Sequence, residues 1–143
     1  MLRKFLVTTA MIPALAVSGW ALAQQMERSS APEEAAVYIV APQDGAVVPE
    51  TFTVQFGLTG MGVAPAGVEQ NNTGHHHLLI DHEGEVALDQ PLGGDVMHFG
   101  GGQTEATVTL EPGEHTLRLV LGDHLHVPHN PPVMSPEITV TVR

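Results

Sequence analysis

Apolar side chains in this chain recur at every second position, in short runs, and glycine or proline closes each run. Phe52, Val54, Phe56 and Leu58 alternate with Thr51, Thr53 and Gln55, and Ala106, Val108 and Leu110 alternate with Thr107 and Thr109. Leu117, Leu119 and Leu121 repeat the pattern, and Ile138, Val140 and Val142 close the chain. Val37 to Val40 and His75 to Asp81 read as two further strands. A period of two puts alternate residues on one buried face, which is the geometry of a strand and not of a helix. Pro42-Gln43-Asp44-Gly45 and Glu111-Pro112-Gly113-Glu114 are turns, because proline presets φ and glycine accepts a positive φ. The pattern predicts an all-β domain over residues 36–143, an antiparallel immunoglobulin-like β-sandwich of about seven strands. A small barrel is the other way to close such a sheet. Two connections, Thr59 to Gly74 and Gln90 to Gln103, are long for a compact domain, and loops of that length often carry function.

Ahead of the strands the character changes. Arg3 and Lys4 precede an apolar run from Phe5 to Val17, and Ala21-Leu22-Ala23 supplies small residues at a cleavage position. Residues 1–23 therefore read as a secretory signal peptide, and the apolar run is too short to span a bilayer. No later segment offers a transmembrane anchor, so the expected location is periplasmic or secreted. Residues 24–35, rich in Ala, Ser, Glu and Gln, read as a flexible lead-in.

Composition removes many kinds of chemistry. Beyond residue 23 the basic residues are Arg28, Arg118 and Arg143, against 16 acids in the chain. A domain that acidic cannot neutralise a phosphate backbone, which argues against nucleic acid as a partner. No lysine remains for a Schiff base or a phosphate loop. Ser29, Ser30 and Ser135 lie outside any Gly-x-Ser-x-Gly turn. The absence of cysteine excludes thiolate nucleophiles, thiolate-bound copper, iron–sulfur clusters, disulfides and a lipid-attachment cysteine. No nucleophile or cofactor motif is found, so a non-enzyme is expected.

Against this scarcity stand nine histidines. His75, His76, His77 and His82 crowd one segment, His124, His126 and His129 another, and His98 lies between them. On a strand, residues i and i+2 share a face at about 6.5 Å, so His75 and His77 can aim two rings at one point. His124 and His126 have the same spacing. Imidazole suits copper and zinc, and neutral histidine is the ligating form. The expected metal ligands are His75, His77, His126 and His129, with His76, His98, His124 and Met134 as further candidates. Asp81 and Asp123 are the acids placed to orient a ligating ring from behind. Met134 or Met97 would tilt the choice towards Cu(I).

Structural roles compete with these. If Leu78 and Ile80 face the core, His76 joins them and His75 and His77 point outwards, but Leu79 is apolar too and the opposite parity stays open. His115, in step with Leu117 and Leu119, reads as a packed corner residue. The alternative function is a non-catalytic envelope interaction or structural module whose histidines serve hydrogen bonds. Two H-x-H pairs suit a cupin, but Pro112-Gly113-Glu114-His115 lacks the second cupin element's spacing.

Four longer strings carry a resemblance: Gly60 to Gly67, Thr73 to Asp81, His98 to Glu105, and Leu121 to Ser135 with its His126-Val127-Pro128-His129. On these the chain resembles a family of exported bacterial single-domain proteins catalogued as a domain of unknown function. The resemblance implies an exported domain and places His75, His76, His77, His98, His126 and His129 inside the matching strings. These strings are mostly loops and histidine clusters and not the alternating strands, which points to a site where the loops meet.

Overall fold

The computed structural model describes residues 26–143; the expected signal peptide lies outside them. The described chain is all-β. It contains β1 (Ala36–Ala41), β2 (Val47–Val48), β3 (Thr51–Thr59), β4 (Gly62–Val63), β5 (Thr73–Ile80), β6 (Met97–His98), β7 (Glu105–Thr109), β8 (Gly113–Gly122) and β9 (Ile138–Val142). Among the described residues no helix is long and apolar enough to cross a membrane.

Two sheets form a β-sandwich. One has the order β1-β3-β7; the other has the order β2-β9-β8-β5-β4, with β6 also paired to β5. The long strands pair antiparallel, and the two-residue β2 and β4 add short parallel pairings to β9 and β5. The two-residue strands β2, β4 and β6 are too short to show alternation in the sequence. Val37, Phe52, Val54 and Phe56 from the first sheet meet Leu78, Leu117, Leu119, Leu121 and Val140 from the second. Burying such side chains contributes roughly 1.5–3 kcal/mol each, which makes this layer the main source of stability.

The parity of β5 is now fixed. Leu78 lies in the inter-sheet core and Ile80 packs against it, so His76 faces inwards, with its ring 5.1 Å from that of Phe56. His75, His77 and Leu79 face the other way. That outer face is not open to solvent. Leu79 and Val120 form a second, smaller core with Leu92 and Val96 from the long 81–96 connection, flanked by Val86 and Met134. Both Leu78 and Leu79 are therefore buried, which is why the sequence showed no clean alternation here.

The start of the described chain is tied down. The Ala31 N–H donates to the Asn130 carbonyl and the Asn130 N–H to the Ser29 carbonyl. The Arg28 guanidinium donates to the carbonyls of Pro128 and His129. This part of the expected flexible lead-in is thus laid against the segment that carries His129.

Candidate metal centre

β5 runs between β8 on one side and β6 and β4 on the other. In register, His75 stands opposite Gly122, and His77 lies between Val120 of β8 and His98 of β6. Cross-strand partners share a face, so β6 brings His98 to the side where His75 and His77 point. His126 arrives from the turn that follows β8. The ring centroids of His75 and His77 are 4.5 Å apart, those of His77 and His98 4.7 Å, and those of His75 and His126 4.7 Å.

The nitrogens converge on one atom. His126 Nδ1 lies 2.9 Å from His75 Nε2, 3.2 Å from His77 Nε2 and 3.2 Å from His98 Nδ1. A neutral ring nitrogen offers one in-plane lone pair or one N–H, so it satisfies one such neighbour and not three. His98 sharpens the point. Its Nε2 donates to the Gly93 carbonyl at 2.8 Å, which leaves Nδ1 as a bare lone pair facing His126. A cation at the centre would resolve the crowding. Zinc–nitrogen bonds of about 2.0 Å in a tetrahedron place ligand nitrogens roughly 3.3 Å apart, close to the three distances from His126 Nδ1. His75, His77 and His126 each offer a ring nitrogen within 4.8 Å of the others and could together hold a metal ion.

The surroundings keep these rings in the ligating form. Burial, then the neighbouring His126 and His98, push His75 down to about 4, with Asp123 acting against them. Burial and the charges of His75, His98 and His126 push His77 down to about 3. Burial and His98 lower His126 as well. His75 and His77 are both 0% exposed, His126 is half-buried and His98 is exposed, so the cluster is sealed at its base and reachable from one side.

Local backbone features build this arrangement. Gly122 has no side chain because a Cβ there would lie 2.5 Å from Cε1 of His77. Residues 123–127 form a tight turn in which the His126 N–H donates to the Asp123 carbonyl and the Asp123 N–H to the Val127 carbonyl. His126 adopts φ 65°, a left-handed conformation rare outside glycine and asparagine. The Asp123 carboxylate braces the turn. It accepts the N–H groups of Leu125 and Val127 on one oxygen and the Ser29 hydroxyl on the other.

The other candidates go elsewhere. His129 is 1% exposed and donates through Nε2 to the Thr73 carbonyl at 3.0 Å. A Cβ on Gly74, which points to the inner side of β5, would meet its ring at 2.9 Å. His129 thus lies across the strand from His75 and His77. His124 lies on a turn and not a strand, so its i+2 spacing from His126 does not put both rings on one face. It lines a polar cleft with Ser29, Ser30 and Glu69. His76 is an inner-face ring, and Met134 packs beside the Leu79 and Val120 core. Asp81 sits at the far end of β5, where its carboxylate takes the His115 ring at 2.6 Å and the Thr116 N–H at 2.9 Å. His115 also bonds the Glu111 carbonyl, so it is a half-buried corner residue with both nitrogens used. Asp123 is near the cluster but acts on the backbone of the turn. Gly122, the Gly93 carbonyl and Ser29 were invisible as site residues, because their parts depend on tertiary placement.

Fold and cluster together define a class, a β-sandwich domain with converging histidines on the covered outer face of its larger sheet. The chain belongs to the family described as a domain of unknown function, DUF4399, which matches residues 54–143 and so takes in His75, His77, His98 and His126. No curated protein and no solved structure matches the chain.

Proposed function

We propose that this is an exported, periplasmic or secreted, non-catalytic module that holds one copper or zinc ion on His75, His77 and His126. The observation that carries this reading is the approach of three ring nitrogens to His126 Nδ1 at 2.9–3.2 Å, more than one neutral nitrogen can satisfy by hydrogen bonding. Support comes from the burial of His75 and His77, which keeps those two rings unprotonated at neutral pH. The donors are all imidazole nitrogens, and that set suits copper and zinc alike. Protein made without a histidine tag and stripped with chelator is expected to take up one Cu(II) or Zn(II) per chain, and His75→Ala to lose that uptake. Binding weaker than about millimolar for both metals would overturn the reading, since three imidazoles on one ion bind far more tightly.

A second reading, an envelope interaction module with structural histidines, is favoured by His115 and His129, whose rings serve hydrogen bonds. It predicts capture of a partner from envelope extract that is indifferent to chelator.

A further inference from the structure

Three of the four clustered rings are fixed by the fold and one is not. His75 and His77 stand on β5, flanked by strands on both sides and 0% exposed. His126 is held by a turn that Asp123 braces on three bonds. These three are also the set whose ring nitrogens lie mutually within 4.8 Å. His98 differs on each count. It is exposed, it belongs to a two-residue strand, and Gly93-Gly94 and Gly100-Gly101-Gly102 lie on either side of it. The backbone around it is nonetheless anchored, because Phe99 is buried and its N–H donates to the His76 carbonyl. Beyond its contact with His126, the ring itself is tied by one hydrogen bond, to the Gly93 carbonyl. It can therefore leave by side-chain rotation alone, without any loop moving.

We propose that His98 is an exchangeable fourth ligand, which closes the open position of the His75, His77 and His126 base and yields it to an incoming nitrogen donor. This rests on the metal-binding reading above. Four fixed ligands make a closed, structural site, whereas three fixed ligands and a replaceable one make a site that can pass its ion on or accept an external ligand. The tautomer agrees. With its Nε2–H donated to the Gly93 carbonyl, His98 presents Nδ1 to the cluster as a lone pair, and rotation gives up that one hydrogen bond in exchange for water. The exchange is a plain ligand substitution: one metal–imidazole bond breaks as another metal–donor bond forms, with no change of oxidation state.

The experiment compares wild type, His98→Ala and His75→Ala, each loaded with Cu(II) and followed by electron paramagnetic resonance and by the rate of metal release to a chelator. His98→Ala is expected to keep one copper per chain and to melt like wild type in metal-free buffer. Its spectrum should change, and release should be at least about tenfold faster, since losing even the partner of a ligand costs that much. Millimolar free imidazole should restore both spectrum and rate, which a structural role for His98 would not allow. A spectrum and release rate identical to wild type would take His98 out of the coordination sphere. Complete loss of copper by His98→Ala would make it a fixed ligand of a closed site. Either result overturns the proposal while metal binding by the wild type still stands. A wild type that takes no copper or zinc would bring down the base as well.

Discussion

His126 brings its ring to the cluster from a conformation that an L-residue rarely adopts. A left-handed φ of 65° costs a non-glycine residue on the order of 1 kcal/mol or more, and such strain persists where neighbouring groups over-determine it. Here they do so at a cluster of unsatisfied nitrogens, so the strain and the site coincide. His126→Gly separates the two. Glycine accepts the positive φ freely, and the substitution also removes the ring that crowds three others. Metal-free His126→Gly should therefore melt at the same temperature as wild type or higher, while copper and zinc uptake is lost. A fall in melting temperature equal to a core truncation would show that the ring is there to pack and not to bind.

The strand β5 and the turn at 123–127 divide the work of placing the clustered rings, and the sequence disclosed them unequally. The i and i+2 spacing of His75 and His77 was legible, because a period of two survives wherever a strand forms. The same spacing in His124 and His126 was misleading, because Asp123 folds that stretch into a turn and sends His124 to a different cleft. The parity of β5 was illegible for a related reason. A loop covers the outer face of the sheet, so Leu78 and Leu79 are both buried and the polar half of the alternation is missing. His98 reached the cluster through a strand of two residues, which no pattern of alternation can announce. The turn gives its own test. Asp123 is 3% exposed and accepts three hydrogen bonds, so Asp123→Ala leaves two backbone N–H groups and a hydroxyl without their acceptor. Bonds to a charged group contribute about 1.5–3 kcal/mol each; water can reach the freed groups once the turn relaxes, so a loss equivalent to at least one such bond, about 2–3 kcal/mol in denaturant unfolding, is expected. Metal affinity should fall with it, since His126 then has to be ordered by the ion. Unchanged stability would mean that the turn holds without its carboxylate.

Taken as a whole, the molecule folds around imidazoles that resist protonation. His75, His76 and His77 all titrate well below the free value of 6.5, at about 4, about 4 and about 3, with burial the largest cause in each. Between those values and 6.5 the unfolded chain binds protons that the folded chain refuses. Stability is therefore full above about pH 6.5 and declines as pH falls towards 4, by up to about 1.4 kcal/mol per pH unit for each ring involved. His115 works in the opposite sense. Its bonds to Asp81 and to the Glu111 carbonyl raise it, so its contribution is lost as pH rises, but it lies near the surface and should not reverse the trend. Melts of chelator-treated protein should rise from pH 5 through pH 6 to pH 7 and level off by pH 8; a flat series from pH 5 to 7 would mean that water reaches the rings. The tie between residues 28–31 and residues 128–130 also sets an order in time. Arg28 and Pro128 are 100 positions apart, and Ser29 and Asp123 are 94 apart. A chain synthesised N-terminus first presents one half of this clasp at the start and the other near the end. The clasp on the turn that carries His126 can therefore close only once almost the whole domain has been made.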